Sequence, residues 1–208
     1  MIWTNGIGVF FRLWKPLAVY LLSILVLFVW RLSWTCFRLR LPPAGLLGRL
    51  WKSILIGLTT ASSAAAFGAM IEINEKKLGI PPKLSRFGTS LSNQLVSELH
   101  SSILVVILYY LAEQCSVPVS FGWFLTAWLM CSVLGITVPP VSGGMLAVTG
   151  VILNQLNIPL GGLAAASLLS IILDFFGTGV KVGISHLDII EDADYLRMWD
   201  RMAPERVQ

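Results

Sequence analysis

Asp174, Thr178, Lys181 and Ser185 stand among the polar side chains of the last long apolar run of the 208-residue chain. Their spacing of i, i+4, i+7 and i+11 puts them on one face of a helix. An ionisable side chain inside an apolar span costs several kcal/mol unless it faces a protein interior, a partner or water, so the stripe is expected to point inward. A carboxylate held there suits a cation or an ammonium group. The alternative is an intrahelical pair in which Asp174 and Lys181 neutralise one another, although they lie two turns apart and the lysine would have to reach back.

Two further segments carry chemistry in their backbone. The stretch Thr59-Thr60-Ala61-Ser62-Ser63-Ala64-Ala65-Ala66 consists of small and hydroxyl-bearing residues that suit a tight turn with exposed amides. The stretch Val138-Pro139-Pro140-Val141-Ser142-Gly143-Gly144 breaks a second apolar run with two prolines and two glycines. Amides and carbonyls freed at membrane depth must line a cavity or meet other protein. Two interrupted segments of this kind in a small membrane chain point to a binding site near the bilayer midplane.

Little else in the chain offers catalytic chemistry. The histidines are His100 and His186, there is no HExxH and no GxSxG, and an enzyme is not expected. Asp174 with Lys181 is the one conceivable proton-transfer pair. Cys36, Cys115 and Cys131 form no CxxC or Cys/His spacing and read as free thiols, with no metal site and no cofactor implied.

These elements must be positioned by a membrane fold. Apolar residues make up 56% of the chain and charged ones 12%, roughly half the charged fraction of a soluble domain. The mean hydropathy is +0.78. The formal net charge is +4, with the basic residues in short loops and not along a face, which suggests membrane topology and not nucleic acid. No small-residue cleavage pattern follows the first apolar run, so a removable signal peptide is not expected. The resulting expectation is an all-α integral membrane protein with a span over about 13–36, a helical hairpin over about 50–73, a span over about 88–113, a second hairpin over about 120–157 and a span over about 160–187. All of this forms a single membrane domain, 1–194, and a polar cytoplasmic tail follows at 195–208.

The first hairpin is expected to be re-entrant. Arg31, Arg38, Arg40, Arg49 and Lys52 precede it, and Lys76, Lys77, Lys83 and Arg86 follow it. By the positive-inside rule both loops belong in the cytoplasm, and one crossing between them would separate them. A segment that enters and leaves on the same face removes the conflict. An ordinary small-residue helix packed against its neighbours is the alternative.

The order of span, Ser-rich hairpin, span, Gly/Pro-tipped hairpin and final helix with an inward aspartate resembles the C-terminal half of the dicarboxylate/amino acid:cation symporter family, the glutamate-transporter fold. The likeness runs from about Lys15 to Asp194. It rests on the Ser-rich tip and the following Lys77-Leu78-Gly79-Ile80, on the second tip with Asn157-Ile158-Pro159-Leu160, and on Ile171-Ile172-Leu173-Asp174. The resemblance implies two re-entrant hairpins whose tips gate a substrate. Ser62 and Ser63, with Val141, Ser142 and Gly143 of the second tip, would contact it. Asp174 would receive a substrate ammonium, and Thr178 would help orient it. Secondary active transport of a small carboxylate or amino acid in an integral membrane protein, bacterial by the same analogy, is the implied function.

Departures from the family pattern alter the expected coupling. The family's arginine that pairs with an acidic side chain falls at Gly177, which removes that basis for selecting glutamate or aspartate. Ser92-Asn93-Gln94-Leu95-Val96 stands where the family has its Asn-Met-Asp-Gly-Thr sodium motif, and an asparagine and a second aspartate of the last helix fall at Lys181 and Ser185. Ser92, Asn93, Lys181 and Ser185 are therefore the coupling-ion residues or their surrogates. A lysine ammonium there competes with sodium, so cation or proton coupling with altered sodium sites is expected. The family's scaffold half is not matched, which implies either oligomerisation through scaffold helices elsewhere or a partner half. The other reading is a transport-inactive fragment or a membrane assembly protein that keeps the fold.

Overall fold

In the computed structural model the described residues are 3–95, 98–141, 143–159 and 163–200. They form eight α-helices: α1 (Trp3–Leu39), α2 (Pro43–Thr60), α3 (Ser63–Glu72), α4 (Pro82–Leu95), α5 (Glu98–Gln114), α6 (Phe121–Gly135), α7 (Gly144–Gln155) and α8 (Leu163–Tyr195). A π-helical turn, Ile73–Lys77, continues α3. No strand occurs among the described residues. Three stretches are long and apolar enough to cross a membrane: Trp14–Leu39, Pro82–Gln114 and Ser167–Tyr195.

Local chemistry sets the helix ends that matter for the site. Pro42 and Pro43 start α2, where a missing N–H costs nothing. Ala61 ends it in a left-handed conformation (φ 47°), its amide donating to the Gly57 carbonyl. Ser62 then caps α3, its hydroxyl accepting from the Ala65 amide at 3.2 Å. Ala61 and Ser62 thus separate α2 from α3. A second break lies between α6, capped by Ser120 at the Trp123 amide, and α7, entered through Gly143 at φ 80°, a conformation that favours glycine.

α8 is the element shared by both halves of the apolar interior. One cluster joins Tyr20 and Ile24 of α1, Ile103 and Ile107 of α5, Cys131 of α6, Ile152 of α7 and Leu173 of α8. The other joins Leu50 of α2, Met70 of α3, Ile73, Leu78 and Ile80 to Val182, Leu187 and Ile190 of α8. α2 approaches α8 closely because Gly57 and Gly179 face one another's helix. A Cβ at 57 would lie 3.1 Å from Val182 and 3.2 Å from the Thr178 carbonyl, and one at 179 would meet Leu58 at 2.3 Å. Small residues of this kind let membrane helices approach backbone to backbone.

α1 runs parallel to α8 in constant register, with Tyr20 against Gly177 and Phe28 against Gly183. Near the end of α1, Arg31 pairs with Asp188, and the Thr35 hydroxyl donates to Glu191. The acidic end of α8 is therefore partly tied to α1. Beyond α8, the Trp199 indole donates to the Leu78 carbonyl at 2.6 Å, and the Asp200 amide donates to the Gly79 carbonyl at 3.2 Å. Residues 201–208 of the expected tail lie outside the described residues.

A buried polar chain crosses the same region. Asn74 donates through Nδ2 to the Thr89 hydroxyl at 3.1 Å, which leaves its Oδ1 to accept from His186 Nδ1 at 2.6 Å. His186 Nε2 lies 2.8 Å from the Ser53 hydroxyl. Four elements are joined by groups that would each be costly to leave unpaired. His186→Phe is expected to orphan Asn74 Oδ1, while the Ser53 hydroxyl keeps its bond to the Leu50 carbonyl at 2.9 Å, and to lower stability by about 2 kcal/mol. Denaturant unfolding of the purified chain measures this, and a change under about 0.5 kcal/mol, the scale of an unremarkable surface substitution, contradicts it.

Candidate functional site

The polar stripe of α8 is buried along its whole length: Asp174 is 5% exposed, Thr178 3%, Lys181 2% and Ser185 0%. The inward orientation read from its spacing follows from the cost of setting charge against lipid. Thr178 donates from Oγ1 to Asp174 Oδ1 at 3.2 Å, and the backbone of Gly143 in the second tip lies close enough to act electrostatically on the carboxylate. Across from them, His100 of α5 brings Nε2 to 4.0 Å from Asp174 Oδ1. Lys181 acts electrostatically on both Asp174 and His100. It makes no ion pair within 4.0 Å among the described residues, so the intrahelical Asp-Lys contact considered from sequence is not formed.

The two tips meet. The Ser62 hydroxyl donates to the Pro140 carbonyl at 3.1 Å, and the Ala64 amide donates to the same oxygen at 3.2 Å. Proline explains the acceptor's freedom, since a chain broken at Pro139-Pro140 leaves carbonyls with no helical donor. Ser63 is buried behind this contact, and Val141 stands half exposed beside it. Ser142 lies outside the described residues. Gln94, near the end of α4, donates from Nε2 to the Ile136 carbonyl at 2.9 Å, which ties a third element to the second tip.

The residues expected to serve the coupling ion have a different character. Ser92 Oγ, Asn93 Oδ1 and Ser185 Oγ are buried oxygens with no hydrogen-bond partner among the described residues. Oxygens of this kind suit a hard cation or an ammonium.

One family model, described as the sodium:dicarboxylate symporter family, matches residues 1–185. The chain belongs to the sodium:dicarboxylate symporter family. No curated protein matches it. Membership brings a small carboxylate as the substrate class and the bilayer as the solvent, and it is membership of a transporter family and not an enzyme family. In this symporter chain the Ser-rich tip, the Gly/Pro tip and Asp174 are brought together, whereas Tyr20 and His100 are added by the fold alone. His100, a lone histidine in an apolar run, carried a signal that could have been followed. Tyr20 carried none, because the position it meets, Gly177, is 157 residues away in sequence.

Proposed function

We propose that the chain carries a small carboxylate or amino acid across the membrane, holding it between the two tips and the Asp174 carboxylate. The observation that supports this best is the convergence on Pro140: two donors of the first tip close on it while Gly143 of the second tip reaches Asp174. Free amides at helix starts favour a substrate carboxylate, and Asp174 favours its ammonium. The four helices of the two hairpins have 18, 10, 15 and 12 residues. Each falls short of the roughly 20 residues needed to cross ~30 Å of hydrocarbon. This supports re-entrant hairpins from opposite faces, with the basic loops around Arg49 and Lys77 cytoplasmic.

In this reading Lys181 takes the place of a coupling sodium ion. Lys181 is buried, with 2% of the residue exposed. At an effective dielectric of about 20, a unit charge ~4 Å from a bound cation costs roughly 4 kcal/mol, nearly a thousandfold in affinity. A sodium ion therefore fits poorly beside Lys181, and the unpartnered oxygens of Ser92, Asn93 and Ser185 are left to an ammonium or a transferred proton.

Two substitutions test the reading on purified chain. Asp174→Asn is expected to fold and to weaken amino acid binding about 10- to 150-fold, the loss of a charge-assisted contact of ~1.5–3 kcal/mol. Unchanged affinity would mean that Asp174 serves only the charge balance of α8. In a sodium titration, substrate binding by the unmodified chain is expected to change little, and Lys181→Asn is expected to make it sodium-dependent. Steep sodium dependence that Lys181→Asn leaves untouched contradicts the surrogate role.

A further inference from the structure

Tyr20 of α1 is a large polar side chain carried fully into the interior, at 0% exposure. Its hydroxyl has no hydrogen-bond partner among the described residues. It is pressed against Gly177: a Cβ at that position would lie 2.4 Å from Tyr20 Oη and 3.0 Å from Ile103 Cδ1. Gly177 sits on α8 between Asp174 and Thr178, and the Asp174 carboxylate acts electrostatically on the phenol. A phenol buried without a partner is costly, and natural interiors keep such groups where a partner arrives. Here the absence of a side chain at 177 and the presence of the phenol are a single packing solution: no side chain fits at 177 while Tyr20 holds its place.

The charges of the pocket limit what that partner is. Asp174 and Lys181 contribute one buried charge of each sign, and a histidine such as His100 is mostly neutral at pH 7. The sum is zero before a substrate enters. An amino acid zwitterion with a neutral side chain keeps it at zero. A second carboxylate leaves one negative charge buried without compensation, next to the carboxylate of Asp174.

We propose that the Tyr20 hydroxyl is the group that reads the substrate side chain, and that it selects a neutral hydrogen-bonding side chain, a hydroxyl or an amide, over a second carboxylate. This rests on the Asp174 pocket being the substrate site. The phenol is both donor and acceptor, so it satisfies either end of an amide or hydroxyl, and the substrate in turn removes the orphaned hydroxyl. Selectivity built on a polar group left unpaired by the wrong ligand is characteristically large.

Equilibrium binding of L-serine, L-asparagine, L-alanine and L-aspartate to the purified full chain tests the assignment. Serine and asparagine are expected to bind at least about tenfold more tightly than aspartate. Tyr20→Phe is expected to weaken serine and asparagine about tenfold while leaving alanine within about twofold, the difference being one hydrogen bond. Gly177→Ala, which forces the phenol aside, is expected to give the same pattern. Aspartate binding as tightly as asparagine, or both variants shifting all four ligands equally, overturns the role of Tyr20 while leaving the pocket intact. Binding of none of the four overturns the substrate-site reading itself, and the assignment with it.

Discussion

Charge in an apolar helix has to be hidden from lipid, and this constraint organises the whole chain. α8 carries Asp174 and Lys181 two turns apart, both nearly inaccessible. It can lie in hydrocarbon only if other helices surround it. α2 does so through the Gly57 and Gly179 approach, and α1 does so in parallel register from Tyr20 to Thr35. α5 brings Ile103 and His100, and α7 and the second tip close the remaining side with Met145 and Gly143. The same burial that protects the charges creates a site in which their fields are barely screened, so a small charged solute would meet strong, oriented interactions there.

Backbone chemistry supplies the second half of the account. Helices that stop inside protein leave donors and acceptors that must be paired. The first tip is sequence-built for this, with a left-handed Ala61 and a capping Ser62. The second tip cannot cap itself in the same way, because Pro139 and Pro140 lack amides. Its Pro140 carbonyl takes two donors from the first tip, and its Gly143 backbone lies near Asp174. A contact of two hydrogen bonds, each worth about 1 kcal/mol net, is strong enough to hold and weak enough to exchange for a substrate. The family to which the chain belongs carries out transport, and transport requires that kind of reversible closure.

Much of the architecture could be read from periodicity and composition, since the features that drive it are local. The stripe at 174, 178, 181 and 185 is on one helix face by spacing alone, and all four residues are buried. The small-residue run at 59–66 ends α2 and begins α3, and Pro139-Pro140 lie between the end of α6 at Gly135 and the start of α7 at Gly144. Long-range pairings could not be read. His186 joins Ser53 and Asn74, 133 and 112 residues away, and nothing in the spacing of any one segment indicates this. Tyr20 was missed for the same reason: an aromatic in an apolar run reads as lipid-facing or core until the helix opposite is known, whereas His100, a lone histidine in an apolar run, did carry a signal. The partners of the acidic end of α8 were equally out of reach, because a charged helix end is solvated by default, whereas here Arg31 and Thr35 of α1 stand beside it.

The two tips close directly on one another at the Pro140 carbonyl, and we infer that this contact opens for transport. The most direct measurement is cross-linking of Ala64→Cys to Val141→Cys with a short thiol-reactive bridge, in a chain whose Cys36, Cys115 and Cys131 have been replaced by alanine. Uptake into proteoliposomes is followed before and after release of the bridge. The account predicts efficient cross-linking, loss of uptake while the bridge is in place and recovery on its cleavage. Failure of the pair to cross-link, or uptake that continues unchanged with the tips joined, would contradict it.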